Sequence, residues 1–176
     1  MTMAIDTATV SPVYLRRATV SLAGTTLAYF LMNGAQIFET ATVAPAWTAA
    51  PPESLAMFQG AHPLDFKAFW IIVHSLHELT FLAAVAATWR LPPVRNRLLA
   101  LLAVHVAIRV WTVAYFAPTI TMFQQLPAGD GVDRALAAQA RTWADLNLIR
   151  VAVFLLVSLA LVPLVARVAR AAIRAN

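Results

Sequence analysis

Four apolar stretches, each close to the ~20 residues that an α-helix needs to cross a bilayer, constrain this chain more than any other feature. They run over about 18–38, 68–89, 98–117 and 147–166, and Leu, Ala, Val and Phe dominate each of them. Between them lie helix breakers: the Pro-containing stretch 44–52, the pair Pro92-Pro93, and Pro118, Pro127 and the turn Gly129-Asp130-Gly131. Pro163 falls near the end of the fourth stretch, where a kink is tolerated. The predicted fold is all-α: one domain over 1–176, a four-helix transmembrane bundle with long outer loops at 39–67 and 118–146. The first apolar run is longer than a signal-peptide core, and Asn33, Gln36 and Glu39 follow it rather than a cleavage site, so it reads as a retained helix.

Composition agrees. Hydrophobic residues make up 61% and charged residues 12%, against about 45–50% and 25% in soluble domains. That balance excludes a soluble enzyme, a disordered tail and a nucleic-acid module. The absence of Cys excludes disulfides, zinc–thiolate sites and thiol catalysis. Five Gly and no Gly-rich loop argue against a P-loop or Rossmann turn.

The 13 basic residues fit membrane topology. Arg16 and Arg17 precede the first span, Arg90, Arg95 and Arg97 follow the second, and Arg167, Arg170 and Arg174 follow the fourth, with Asp6 the one acid on that side. Glu39, Glu53, Asp65, Asp130, Asp133 and Asp145 fill the opposite loops. The positive-inside rule then makes both termini cytoplasmic. Ala/Arg-rich, Cys-free composition points to a bacterial inner membrane.

Polar residues inside the spans are the functional candidates, because they are costly in lipid and turn toward the bundle interior. They recur at helical spacing. Asn33, Gln36 and Thr40 share a face beside Glu39. His74, Glu78 and Phe81 share another, flanked by His77. His105, Arg109, Thr112 and Phe116 form a third stripe, and Trp143, Asn147, Arg150, Phe154 and Ser158 a fourth. At ~1.5 Å per residue these sort into a deep layer (His77, Glu78, His105, Arg109) and an upper layer (Asn33, Gln36, Glu39, His74, Asn147, Arg150), a polar pocket open outward.

Three chemistries fit this set. In the plainest, Glu78 and Arg109 neutralise each other and the carboxamides join helices. In a metal reading, His74, His77 and Glu78 from one helix, with His105 and Glu39, hold a transition ion, iron or copper. In an acid–base reading that needs no cofactor, His77, Glu78 and His105 are catalytic and move a proton. Asn33, Gln36, Arg109, Trp111, Trp143, Asn147 and Arg150 then bind and polarise substrate. Trp47, Trp70, Trp89 and Trp143 sit near span ends, as interfacial Trp does. His62 lies in an outer loop and reads as solvated.

Three segments carry a family resemblance: Glu39–Trp47 closing span one, Tyr115-Phe-Ala-Pro118-Thr ending span three, and Trp143-x-x-x-Asn147-x-x-Arg150 entering span four. Together they resemble the anthrone oxygenase-like family of small four-helix membrane proteins. The carry-over reaches Pro118, Trp143, Asn147 and Arg150. An Asn expected soon after the Pro-Thr pair is absent here, where Thr121-Met-Phe-Gln124-Gln125 stands. The resemblance implies oxygenation of an activated aromatic ketone to a quinone. The expectation is therefore a membrane oxidoreductase, an oxygenase acting on a small hydrophobic or aromatic substrate, with the bilayer and a homo-oligomer as partners and no nucleic acid. Two readings stand beside it: a ligand- or proton-binding transport subunit, and a structural accessory subunit.

Overall fold

The computed structural model describes residues 10–175; Asp6 lies outside them. The described residues are helical and contain no strand. In order they form α1 (Pro12–Phe38), a π-helical turn (Glu39–Val43), α2 (Ala44–Thr48), a 3-10 turn (Glu53–Phe58), α3 (Lys67–Ala87), α4 (Pro92–Trp111), a second π-helical turn (Thr112–Phe116), α5 (Ala117–Gln125) and α6 (Arg134–Arg174). Three helical runs are long and apolar enough to cross a membrane: Lys67–Ala87, Pro92–Gln125 and Arg134–Arg174.

Helix starts follow local chemistry. Asp133 Oδ1 accepts the backbone N–H groups of Ala135 and Leu136 at 2.7 and 3.0 Å, capping α6. Asp65 Oδ1 accepts that of Lys67 at 2.8 Å ahead of α3. Gly131, at φ +80°, supplies the backbone reversal just before the α6 cap, where a side chain would strain the chain.

The loops expected at 39–67 and 118–146 are largely helical instead. Proline is the reason the expectation failed. Pro45 and Pro118 were read as breakers, because a proline lacks its N–H and its ring crowds the carbonyl four residues back. Here each follows a π turn and one alanine. The Ala44 N–H bonds the Glu39 carbonyl and the Ala117 N–H bonds the Thr112 carbonyl, five residues back in each case. The widened turn absorbs the ring, and the helix carries on. The fourth apolar stretch is likewise the middle of a helix of 41 residues, ~60 Å long, about twice a ~30 Å hydrocarbon core.

The chain divides into two compact units. Of the described residues, the first comprises 10–32, 72–106 and 154–175, and the second 33–71 and 107–153. In the first unit, α1 buries Leu15, Ala18, Leu22, Thr25, Tyr29 and Met32, alternating steps of three and four that keep one stripe inward. His77, Phe81, Ala84 and Val85 of α3, Thr88 and Leu91 in the turn before α4, Val94, Leu98 and His105 of α4, and Phe154, Val157, Ser158, Leu161, Leu164, Val168 and Ala171 of α6 are buried with them. Leu76, Leu79 and Leu82, on the other faces of α3, are exposed. Polar groups inside and leucines outside is the pattern of a helix whose solvent is lipid.

The second unit is built on aromatic packing. Trp47, Phe58, Phe116, Phe123 and Trp143 form its core with Ala44, Leu55 and Ala140. Trp47 and Trp143 are therefore core residues and not the interfacial anchors expected from their positions. Trp89, 56% exposed, fits that description.

Candidate functional site

The polar residues expected to share one pocket are distributed over both units. His74, His77, Glu78 and His105 belong to the first; Asn33, Gln36, Glu39, Arg109, Trp111, Trp143, Asn147 and Arg150 belong to the second.

In the second unit a cradle forms around Arg150. The residue lies one turn beyond Asn147 on α6, and its Nη2 donates to Asn147 Oδ1 at 2.6 Å. Asn147 Nδ2 in turn donates to Thr40 Oγ1 at 2.9 Å. Thr40 stands in the first π turn, so that distortion contributes to the site. The carboxamide is used at both ends, which fixes its orientation and gives Arg150 a preset partner. The guanidinium carbon lies 4.4 Å from the centroid of the Phe116 ring, in the second π turn, a cation–π contact. The indole N–H of Trp143 donates to the Phe116 carbonyl at 3.2 Å. Trp111 packs with its ring centroid 5.0 Å from that of Phe116.

Two more groups complete the electrostatics. Glu39, half-buried, attracts the guanidinium of Arg150 and is held by a hydrogen bond from the Trp70 side chain. Arg109, also half-buried, repels it. Asn33 and Gln36 are each 1% exposed and Arg150 is 8% exposed. Among the described residues, Gln36 Oε1 and Arg150 Nε are buried with no hydrogen-bond partner. Such atoms are rare in native proteins and call for a ligand, water or ion.

The first unit holds a second polar cluster. Tyr29 Oη lies 2.8 Å from His105 Nδ1. The His77 ring stands edge-on to Tyr29, centroids 3.7 Å apart, and 5.1 Å from the His105 ring. Phe81 and Phe154 pack against this group. His74 and Glu78 are half-buried on the same helix. The five-residue ligand set expected from the sequence (Glu39, His74, His77, Glu78 and His105) is not gathered: among the described residues no group of three or more His, Cys, Asp or Glu could hold one metal ion. The physical reason is helical phase. His74 and Glu78 lie about 60° and about 100° away from His77 around α3, both on the same side, and only His77 is fully buried beside His105. His62 is exposed, as a loop histidine should be.

Sequence reasoning missed Tyr29 and undervalued Phe116. Tyr29 was within reach of the pattern, since it precedes Asn33 by four residues on the stripe that carries Gln36 and Thr40. Comparison with protein families, with curated proteins and with solved structures finds no match to this chain.

Proposed function

We propose that this chain is an integral membrane oxidoreductase of the bacterial inner membrane, an oxygenase that takes a small hydrophobic aromatic substrate at the Arg150 cradle. It crosses the bilayer four times, α1 being the fourth span beside the three long apolar runs, with its arginine clusters on the cytoplasmic side. The observation that carries the reading is a buried, preoriented guanidinium whose Nε has no protein partner; four residues before Thr40, the other end of the Asn147 link, Gln36 Oε1 is a buried carboxamide oxygen also without one. An acidic C–H compound, or its enol, offers what both atoms lack. An oxyanion accepts from the guanidinium, and an enol O–H donates to the carboxamide. The ring of Phe116 gives the substrate's aromatic body an apolar wall.

The resemblance adds the reaction. Trp143, Asn147 and Arg150, the three residues of its most specific motif, all serve the cradle: one fixes Phe116, one fixes Arg150, and one faces the ligand. In the reaction it implies, a ring CH2 and dioxygen give a ring carbonyl and water. The first step removes a C–H proton, and Arg150 stabilises the enolate so formed. In the second step the carbanion's electrons pass to dioxygen as a C–O bond forms and the peroxide takes back the proton; loss of the remaining C–H proton with cleavage of the O–O bond then releases water and leaves the carbonyl. Glu39 is the proton acceptor of this unit, next to Arg150 in charge and fixed by Trp70. No step is routed through a metal: among the described residues no three His or carboxylate side chains are gathered to hold one.

The test is aerobic incubation of the detergent-purified protein with anthrone, following oxygen uptake and quinone formation. Turnover that is abolished in Arg150→Gln and in Glu39→Gln, in folded protein, supports the assignment. Turnover lost in Glu78→Gln and kept in Glu39→Gln moves the proton step to Glu78. Binding of unchanged anthrone with no oxygen uptake makes the chain a binding subunit.

A further inference from the structure

The cluster in the first unit has no part in the chemistry assigned to Arg150, and its donor atoms have a use of their own. Tyr29, His77 and His105 are 0%, 1% and 2% exposed. They come from three different helices, α1, α3 and α4. Burying two imidazoles and a phenol together in a span costs free energy that leucines would not. Packing alone leaves that cost unexplained.

We propose that Tyr29, His77 and His105 form a metal site, two imidazoles and one phenolate around a first-row transition ion, copper(II) or iron(III). Three distances support it. Oxygen and nitrogen donors each ~2.0–2.1 Å from one ion and set at right angles lie about 2.8–3.0 Å apart, and Tyr29 Oη lies 2.8 Å from His105 Nδ1. The His77 and His105 rings, 5.1 Å apart between centroids and 84° to one another, are placed as two imidazoles on adjacent positions of one ion would be. The Tyr29 and His77 ring centroids lie 3.7 Å apart, edge-on at 72°, closer than the ~4.5–7 Å usual for aromatic packing and within reach of one ion held between them.

The donor set selects the ion. Two neutral imidazoles and a hard, anionic phenolate, with no sulfur, suit copper(II) or iron(III), and three protein donors leave a position open. Binding replaces the Tyr29 phenol proton by the metal, so one proton is released per ion and the two histidines stay neutral. Phe81 and Phe154 close the surroundings to water, which favours retention of the ion. Glu78 and His74 take no part, so the site differs in membership from the carboxylate-rich set that the sequence suggested.

The site is independent of the Arg150 reading and fails separately from it, because its test uses no substrate. Chelator-stripped protein in mild detergent is titrated with copper(II), and separately with iron(III), while metal content and the visible spectrum are recorded. The expected result is saturable uptake near one ion per chain with a phenolate-to-metal charge-transfer band. In Tyr29→Phe, which keeps the ring and the packing, the band disappears. In His77→Ala and His105→Ala the affinity falls by more than the ~10–100-fold typical of losing a mere supporting partner. No saturable uptake of either ion, or a visible band unchanged in Tyr29→Phe, overturns the proposal.

Discussion

Arg150 and Phe116 meet as a cation over a ring, 4.4 Å from guanidinium carbon to centroid, and each is held by a different neighbour. Asn147 fixes the guanidinium, and Trp143 fixes the backbone carbonyl of Phe116. Both restraints come from α6, one turn apart, while Phe116 sits in a π turn that an adjacent Ala-Pro pair accompanies. The arrangement is preorganised: a ligand meets a charge and an apolar wall already in place, so less binding energy is lost to ordering side chains.

Removing Asn147 should expose the cost of that arrangement. Asn147→Ala leaves Arg150 and Thr40 without their shared partner, and a buried unsatisfied group costs ~1–3 kcal/mol. Thermal unfolding in detergent should show a clear loss of stability. Asn147→Asp, which still accepts from Arg150, should recover most of it.

Trp143→Phe removes one hydrogen bond and keeps an aromatic ring. Stability should fall by about 1 kcal/mol, and turnover should fall further than stability does, because the Phe116 carbonyl is released. Equal, small losses in both would make Trp143 a packing residue alone.

The prolines give a prediction of opposite signs. Proline inside a helix is unfavourable by ~3 kcal/mol relative to alanine, so Pro118→Ala should not lower the thermal midpoint. It restores an N–H that favours ordinary α-helical bonding over the π turn, which rotates Phe116 away from Arg150. Ligand affinity should fall about tenfold while stability holds or rises, read by titration and melting of the same sample.

In the first unit, Thr25 Oγ1 donates to the Thr80 carbonyl at 2.7 Å, from α1 to α3. Interhelical bonds of this kind are worth ~0.6–2 kcal/mol in membrane proteins. Thr25→Val, similar in shape, should destabilise by that amount and leave the Arg150 site's affinity unchanged.

Much of this was legible in the sequence, and for definable reasons. Apolar runs near the bilayer thickness marked the cores of α1, α3, α4 and α6, and helical spacing picked out Asn33, Gln36, Asn147 and Arg150 as inward residues. Both are one-dimensional signals. Depth along a helix does not fix which residues pack together: His74, in the upper layer by position, falls in the unit with His77, Glu78 and His105, and Arg109, in the deep layer, falls in the unit with Asn147 and Arg150. Proline misled, because a π turn ahead of Pro45 or Pro118 leaves no mark that separates it from a helix end. Tyr29 was overlooked because a tyrosine in an apolar run reads as ordinary bulk until its hydroxyl is seen 2.8 Å from His105 Nδ1. The proposed ligand set depended on which face of α3 is buried, and spacing alone favoured His74 and Glu78 as readily as His77.

The most direct test of the central claim is the affinity of the Arg150 cradle for an aromatic oxyanion. Protein in mild detergent is titrated with 4-nitrophenolate, whose visible absorption reports both binding and ionisation. The account predicts saturable binding of the anionic form, weakened by at least about thirtyfold in Arg150→Gln, since truncating a buried charge pair costs ~2–5 kcal/mol. Equal affinity in wild type and Arg150→Gln would contradict it.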